Sequence, residues 1–244
     1  MTTRGREAGG VPPPTYLLLA DQLERHVAGA APGDRLPSEH DLMDRHEVSR
    51  LTARAALQEL ERRHLVRRVR GSGTFVARRI DYRISADMAP SWSQTVRDAG
   101  GEPLRRILGI GRVAPPPPVA AVLGSTQPVV AVSRVGTVDG LVADTGTSWV
   151  PTTLVDDLNT FLDDGGSLYE SLVAAGVTPR RRWTTAELVA VPAELAMHLE
   201  LEGRPPVWRI ASCNEDATTG RVVEYGEGWM RPDVYRVVLE LGTR

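Results

Sequence analysis

Residues 33–77 read GDRLPSEHDLMDRHEVSRLTARAALQELERRHLVRRVRGSGTFVA. Pro32 and Gly33 break the chain at its start, and Ser38 stands where a helix needs an N-cap, with Asp41 placed to complete a capping box. The spacing predicts a short helix over 39–46 with Leu42 and Met43 turned inward. The tripeptide EVS makes a tight turn, and Ser49 caps a second helix. The apolar face of that helix reads as Leu51, Ala55, Leu57 and Leu60, with Ala53 and Ala56 allowing close packing. Two short helices joined by a few residues have helix-turn-helix spacing. Leu65, Val66, Val69, Phe75 and Val76 then bracket Arg70-Gly71-Ser72-Gly73-Thr74, which predicts a two-stranded hairpin with a glycine-permitted turn. A hairpin directly after such a helix is a wing.

The side chains around this frame have a common chemistry. Arg50, Thr52 and Arg54 occupy the first turn and a half of the second helix, where recognition helices present residues to base edges in the major groove. Arginine can donate two hydrogen bonds to guanine, and threonine can touch a phosphate or a thymine methyl. The small, basic hairpin tip suits close approach to phosphates or to a minor groove. Arg62, Arg63, Arg67 and Arg68 read as background positive field or as solvated charge. Upstream, Leu19, Leu23, His26 and Val27 recur at helical spacing and predict a further helix over 14–28.

The stretch from about residue 15 to 77 resembles the winged-helix domain of the GntR family of bacterial transcription regulators. The resemblance rests on LPSE, on VSRLTAR at the helix start, on the L-x-x-L helix and on the wing sequence GSGTFV. It implies DNA contacts from Arg50, Thr52, Arg54 and the wing tip, Arg70, Gly71, Ser72, Gly73 and Thr74. Arg35, Ser38, His40 and Ser49 complete the implied DNA-facing set. The family commonly has arginine after the LPSE glutamate; here that position is His40, which carries no charge when neutral.

Charge is divided unevenly. The formal net charge is −2. Residues 1–79 hold 14 arginines against 10 acids, and residues 80–244 hold 15 against 21; lysine is absent. A basic first part joined to an acidic second part assigns a polyanionic partner to the first alone. No apolar run approaches the roughly 20 residues of a membrane span, and the N-terminus has no apolar signal-peptide core. The one cysteine, Cys213, cannot form an internal disulfide, so a reducing, cytoplasmic setting is expected. No HExxH, GxSxG, P-loop or CxxC motif is present, so no enzyme activity, cofactor or metal is expected.

Residues 1–13 read as a disordered tail, 14–79 as the winged helix, 80–90 as a linker and 91–244 as a second domain. Beyond the linker, strands are predicted over 105–113, 128–138, 141–149, 181–190, 206–215, 221–230 and 234–241. Helices are predicted over 91–99, 117–123, 152–158, 167–175 and 193–200. The pattern is that of an antiparallel or mixed sheet with helices on it, giving an α+β fold overall. A weak internal repeat runs through it: Gly140, Asp144 and Trp149 recur 80 positions later as Gly220, Glu224 and Trp229.

This second part resembles the UTRA effector domain, which places the chain in the HutC branch of the GntR family. Its landmarks are SWSQ, SRV followed by DG, SWVP, GSLYESL and VVEYGEGWMRPDVYR. The resemblance implies a chorismate-lyase-like fold that binds a small metabolite. It also implies a pocket formed by Ser91, Ser93, Arg134, Asp144, Ser167, Tyr169, an arginine of the 180–182 run (Arg180 or Arg182) and Glu224. Arginine with hydroxyl groups suits a phosphate, phosphonate, sulfate-like or carboxylate group. Two departures stand out. The family often has R-x-R in the first strand, where this chain has Arg134-Val135-Gly136, and Met230 stands where a tyrosine is frequent. Both favour a smaller anion over a phosphosugar.

The expectation is a DNA-binding regulator, a repressor, acting as a homodimer on palindromic double-stranded DNA. The alternatives are a constitutive DNA-binding protein whose second domain only dimerises, or a lyase-like enzyme. Length, arginine bias and a small-anion pocket also resemble the PhnF-type regulators linked to phosphate or phosphonate uptake.

Overall fold

The computed structural model describes residues 13–69, 71–84, 91–155 and 167–239. The chain divides into two compact units, Met1–Arg78 and Arg79–Arg244. The expected tail lies almost wholly outside the described residues.

The first unit contains α1 (Thr15–Val27), α2 (Glu39–His46), α3 (Arg50–Arg62), β1 (Val66–Val69) and β2 (Gly73–Val76). Leu19, Ala20, Leu23 and Val27 carry the buried stripe of α1. His26, expected on that stripe, is exposed, and Ala20 takes the inward place. The capping box of α2 forms: Ser38 Oγ accepts from the Asp41 N–H at 3.2 Å, and Asp41 Oδ2 accepts from the Ser38 N–H at 2.9 Å.

The face of α3 differs from the expected one. Ala53, Ala56, Leu57 and Leu60 are buried, whereas Leu51 is 77% exposed. Two residues before Ala53, Leu51 lies about 200° round the helix. The two alanines put no bulk between helices, so they face the core and turn Leu51 outward. The hairpin pairs Val66 with Val76 and Val69 with Gly73. Residues 33–36 run along β2 as a third, short member, with Leu36 N–H donating to the Thr74 carbonyl at 2.8 Å.

The second unit begins with β3 (Ile80–Ile84). Residues 80–84, expected as linker, pair in parallel with β10 (Tyr235–Leu239), Ile80 opposite Tyr235. Sequence reading missed this because the partners lie at opposite ends of the domain. Residues 85–90 lie outside the described residues. Then follow α4 (Trp92–Asp98), β4 (Pro103–Val113), α5 (Pro117–Leu123), β5 (Val129–Val138), β6 (Leu141–Pro151), α6 (Leu168–Ala174), β7 (Pro179–Ala190), α7 (Ala193–His198), β8 (Pro206–Asp216) and β9 (Val222–Met230). Of the helix expected over 152–158, the described part holds a 3-10 turn, Thr152–Leu154, and the rest lies outside the described residues.

Six strands form one antiparallel sheet in the order β4-β5-β6-β9-β8-β7. β10, expected as a strand over 234–241, stands apart in its two-stranded pair with β3. The sheet order carries the internal repeat. β4-α5-β5-β6 and β7-α7-β8-β9 trace the same path, and β6 meets β9 at the centre. Thr147 lies opposite Glu227, its own counterpart in the repeat, so a pseudo-twofold axis passes between them. Val119 of α5 and Ala196 of α7 pack on one face of the sheet. Val96 of α4 and Leu168 and Leu172 of α6 pack on the other.

Candidate functional site

In the first unit, Ser49 caps α3 by accepting from the Thr52 N–H at 3.1 Å, and the Ser49 and Thr52 hydroxyls lie 2.9 Å apart. Ser38 and Ser49 therefore both serve helix N-termini, which leaves those ends ordered for an approaching phosphate. Arg50 is 72% exposed at its side chain and Arg54 46%. The structure ties both to Glu39, which sequence reasoning missed. Arg54 donates from Nε to Glu39 Oε1 at 3.0 Å and from Nη2 to Oε2 at 3.1 Å, a fork-to-fork pair. Arg50 Nε donates to Oε2 at 3.3 Å. The Glu39 carboxyl is held below its ordinary pKa, chiefly by Arg54, and Arg54 is held above its own. No sequence spacing reveals this pairing, because the partners sit on different helices.

Much of the arginine strip is spent inside the unit. Arg62 and Arg63 both donate to Glu59, at 2.7 and 2.9 Å, and push its pKa down to about 2. Arg63 also reaches Asp21 and Glu24. Arg68 lies 3.8 Å from Glu39 and 3.7 Å from Glu61. At the wing, Gly71 and Ser72 are exposed, and Arg70 lies outside the described residues. Thr74, expected at the tip, is in strand β2 and only 8% exposed. Arg35 lies against the hairpin: a Cβ on Gly73, whose φ is +131°, would sit 3.0 Å from Arg35 Nε. The His40 side chain is exposed, 3.6 Å from Asp44.

In the second unit, a cavity of about 190 Å³ opens between the sheet and the N-terminal ends of α4 and α6. Its floor is bare where Gly146, Gly226 and Gly228 meet. The structure brings to it Ser91, just before α4, and Ser93 in it, Ser167, just before α6, and Tyr169 in it, Arg134 from β5, Asp144 from β6 and Glu224 from β9. Ser91 and Ser167 stand with hydroxyls 3.5 Å apart. Asp144 and Glu224, counterparts in the repeat, enter from opposite sides of the pseudo-twofold axis.

Arg180 and Arg182 do not line the cavity. Arg180 pairs with Glu215 at 2.6 Å, and Arg182 lies 3.9 Å from the same carboxylate. Arg181 takes the inward place. The β7–β8 register passes from Arg181↔Asn214 straight to Trp183↔Cys213, so Arg182 is the bulged residue. A bulge breaks the two-residue alternation on which face assignment depends.

Burial gives the cavity its electrostatics. Arg134 donates from Nη2 to Ser148 Oγ at 2.9 Å. Its exposure is to the cavity, and enclosure, followed by repulsion from Arg105, lowers its pKa to about 10, so it stays cationic at neutral pH. Among the described residues, Arg181 Nε and Nη1 have no hydrogen-bond partner, nor does Asn214 Oδ1. Asn214 Nδ2 donates to Glu224 Oε2 at 2.8 Å. Unpaired guanidinium donors in an enclosed site are costly to leave unmade, and they match an anion that carries oxygen acceptors.

A winged helix joined to a sheet domain with an enclosed polar cavity defines a transcription regulator that reads a small molecule. The model of the bacterial regulatory proteins of the gntR family matches residues 15–76, and that of the UTRA domain matches residues 98–236. This chain belongs to the GntR family, with a UTRA effector domain. It is 30% identical to the HTH-type transcriptional regulator GgaR of Escherichia coli over 231 residues, 93% of this chain and 91% of that one. It is 28% identical to the HTH-type transcriptional repressor PhnF of Mycolicibacterium smegmatis over 203 residues, 82% of each. The crystal structure of PhnF from Mycobacterium smegmatis superposes with a TM-score of 0.66 at 25% identity, covering 92% of this chain and 99% of that one. These relatives are transcription regulators by name, and no helix among the described residues is long and apolar enough to cross a membrane.

Proposed function

We propose that this protein is a cytoplasmic repressor that binds a palindromic operator as a homodimer and responds to a small anionic metabolite. The observation that carries the ligand class is the pair of guanidinium groups, Arg134 and Arg181, lining one small cavity, with Nε and Nη1 of Arg181 left without a hydrogen-bond partner. Phosphate, phosphonate, sulfate-like and carboxylate groups all fit that chemistry. Glu224 and Asn214 Oδ1 supply acceptors for a hydroxyl or amine on the same molecule. The volume is below the roughly 300 Å³ at which drug-sized pockets begin, which favours a compact effector.

On the DNA side, Arg50 and Arg54 read base edges, the Ser38 and Ser49 caps meet phosphates, and the wing tip at Gly71 and Ser72 approaches the backbone or minor groove. One winged helix reads few base pairs; a two-fold dimer doubles the contacts. Regulation is a population shift, with effector binding biasing the segment between Arg79 and Ser91 and so the spacing of the two heads. Asp144 supports this route: it lines the cavity and accepts from the Tyr235 hydroxyl at 2.8 Å, and Tyr235 pairs with Ile80 at the start of the unit.

The test is thermal-shift screening against phosphate, phosphonates, sulfate and small carboxylates, followed by operator-binding titrations with each hit. A ligand that raises the melting point and changes operator affinity is expected. Saturation without any change in operator affinity would leave only a constitutive DNA-binding protein.

A further inference from the structure

Position 136 of β5 is a glycine facing the cavity side of the sheet, directly opposite Arg105 of β4. A Cβ there would lie 2.8 Å from Asp144 Oδ2, 2.8 Å from the Trp92 ring and 2.9 Å from Arg105 Nη1. The guanidinium of Arg105 therefore occupies the space that a side chain at 136 would claim. We propose that Arg105 is an anion-binding, specificity-determining residue of the cavity, delivered from the neighbouring strand and held in place by Asp144. The inference rests on the reading that the cavity takes an anion.

The surroundings of Arg105 fix its plane. Its Cζ lies 3.7 Å from the centroid of the Trp92 ring, a stacked cation–π contact. Nη1 donates to Asp144 Oδ1. Asp144 is itself held by Tyr235, whose hydroxyl accepts from Trp92 Nε1 at 2.8 Å and donates to Asp144 Oδ2 at 2.8 Å. Asp144 is thus a positioning residue. A guanidinium has five N–H donors, and the bond to Asp144 takes one from Nη1, so the fork keeps donors for a ligand in the cavity that Arg105 lines.

Arg105 also repels Arg134, so two cations face the same space, and an anion between them relieves that repulsion. With Arg181, guanidinium groups from β4, β5 and β7 converge on one cavity. Three such groups match a tetrahedral oxyanion with three acceptor oxygens, whereas a planar carboxylate satisfies two. The cavity is accordingly selective for phosphate-like over carboxylate groups, and Arg105 supplies the difference.

The experiment is calorimetric titration of the full-length protein with inorganic phosphate and with acetate at matched ionic strength. Wild type, Arg105→Gln, Arg105→Lys and Arg134→Gln are compared, with melting points recorded for each. Gln keeps a donor for Asp144 and removes the charge. The expected result is that Arg105→Gln weakens phosphate binding about tenfold or more and leaves acetate within about twofold. Arg105→Lys should lie between Gln and wild type for phosphate. Unchanged phosphate affinity in Arg105→Gln, alongside loss in Arg134→Gln, overturns the inference and leaves the anion reading standing. Should Arg105→Gln fail to fold, wild-type phosphate affinity in Arg105→Lys overturns it equally. A wild-type protein that binds neither anion overturns the anion reading itself.

Discussion

Glu39 decides what Arg50 and Arg54 can do before DNA arrives. A free arginine must lose about 2 kcal/mol of rotamer entropy to present its fork in one geometry. The bidentate pair with Glu39 has already fixed Arg54. Arg54→Ala is expected to abolish discrimination between operator and random DNA, whereas Arg67→Ala should at most weaken both and flatten the salt dependence. Glu39→Gln adds a test of the tether. It removes a negative charge, so binding to random DNA should strengthen while the operator-to-random ratio falls by about tenfold, roughly one good base contact. Gel-shift titrations of the variants over a range of salt concentrations check this, and equal loss of discrimination from Arg54→Ala and Arg67→Ala would refute the division of labour.

At the scale of elements, α3 shows how an amphipathic helix can be read in the wrong phase. Leu51→Ala should change stability by less than about 0.5 kcal/mol, as for an exposed side chain. Leu57→Ala, only 2% exposed, should cost about 2–5 kcal/mol; urea denaturation of both variants measures the contrast. The C-terminal half of α3 also predicts a pH dependence. Hydrogen bonds from Arg62 and Arg63 hold the Glu59 carboxyl down at about 2, against an ordinary value of 4.5. A carboxylate with a lowered folded pKa adds stability above its unfolded pKa and loses it as pH falls towards the folded one. The melting point of the DNA-binding unit should therefore decline between about pH 4.5 and 2, and Glu59→Gln should shrink that decline. Melting curves recorded across this range decide it. The sheet elements are legible in the sequence, because apolar and β-branched runs such as those of β5 and β6 lie between turn signals such as Val138-Asp139-Gly140. The face of Arg181 is not, because the bulge at Arg182 shifts the alternation by one.

For the whole molecule, Tyr235 is the side chain on which distant parts of the second unit meet. It is fully buried and joins β10, α4 and the cavity carboxylate Asp144. Burial, and then Asp144, push its pKa well above the ordinary tyrosine value, so it stays a neutral donor. Tyr235→Phe should cost about 1–3 kcal/mol, the usual consequence of leaving a buried acceptor short of a donor, measurable as a lowered denaturation midpoint. The sequence by itself determined the two-unit organisation, the capped helix-turn-helix, the wing and the strand count of the duplicated half. Those features rest on local rules: capping chemistry, periodicity and turn residues within a few positions of one another. Only the tertiary structure decided that residues 80–84 pair with β10, that Glu39 holds Arg54, and that Arg105 fills the place of a side chain at Gly136. Each of these joins residues far apart in the chain through register and packing, and local propensity carries no information about partners that meet only when the sheet closes.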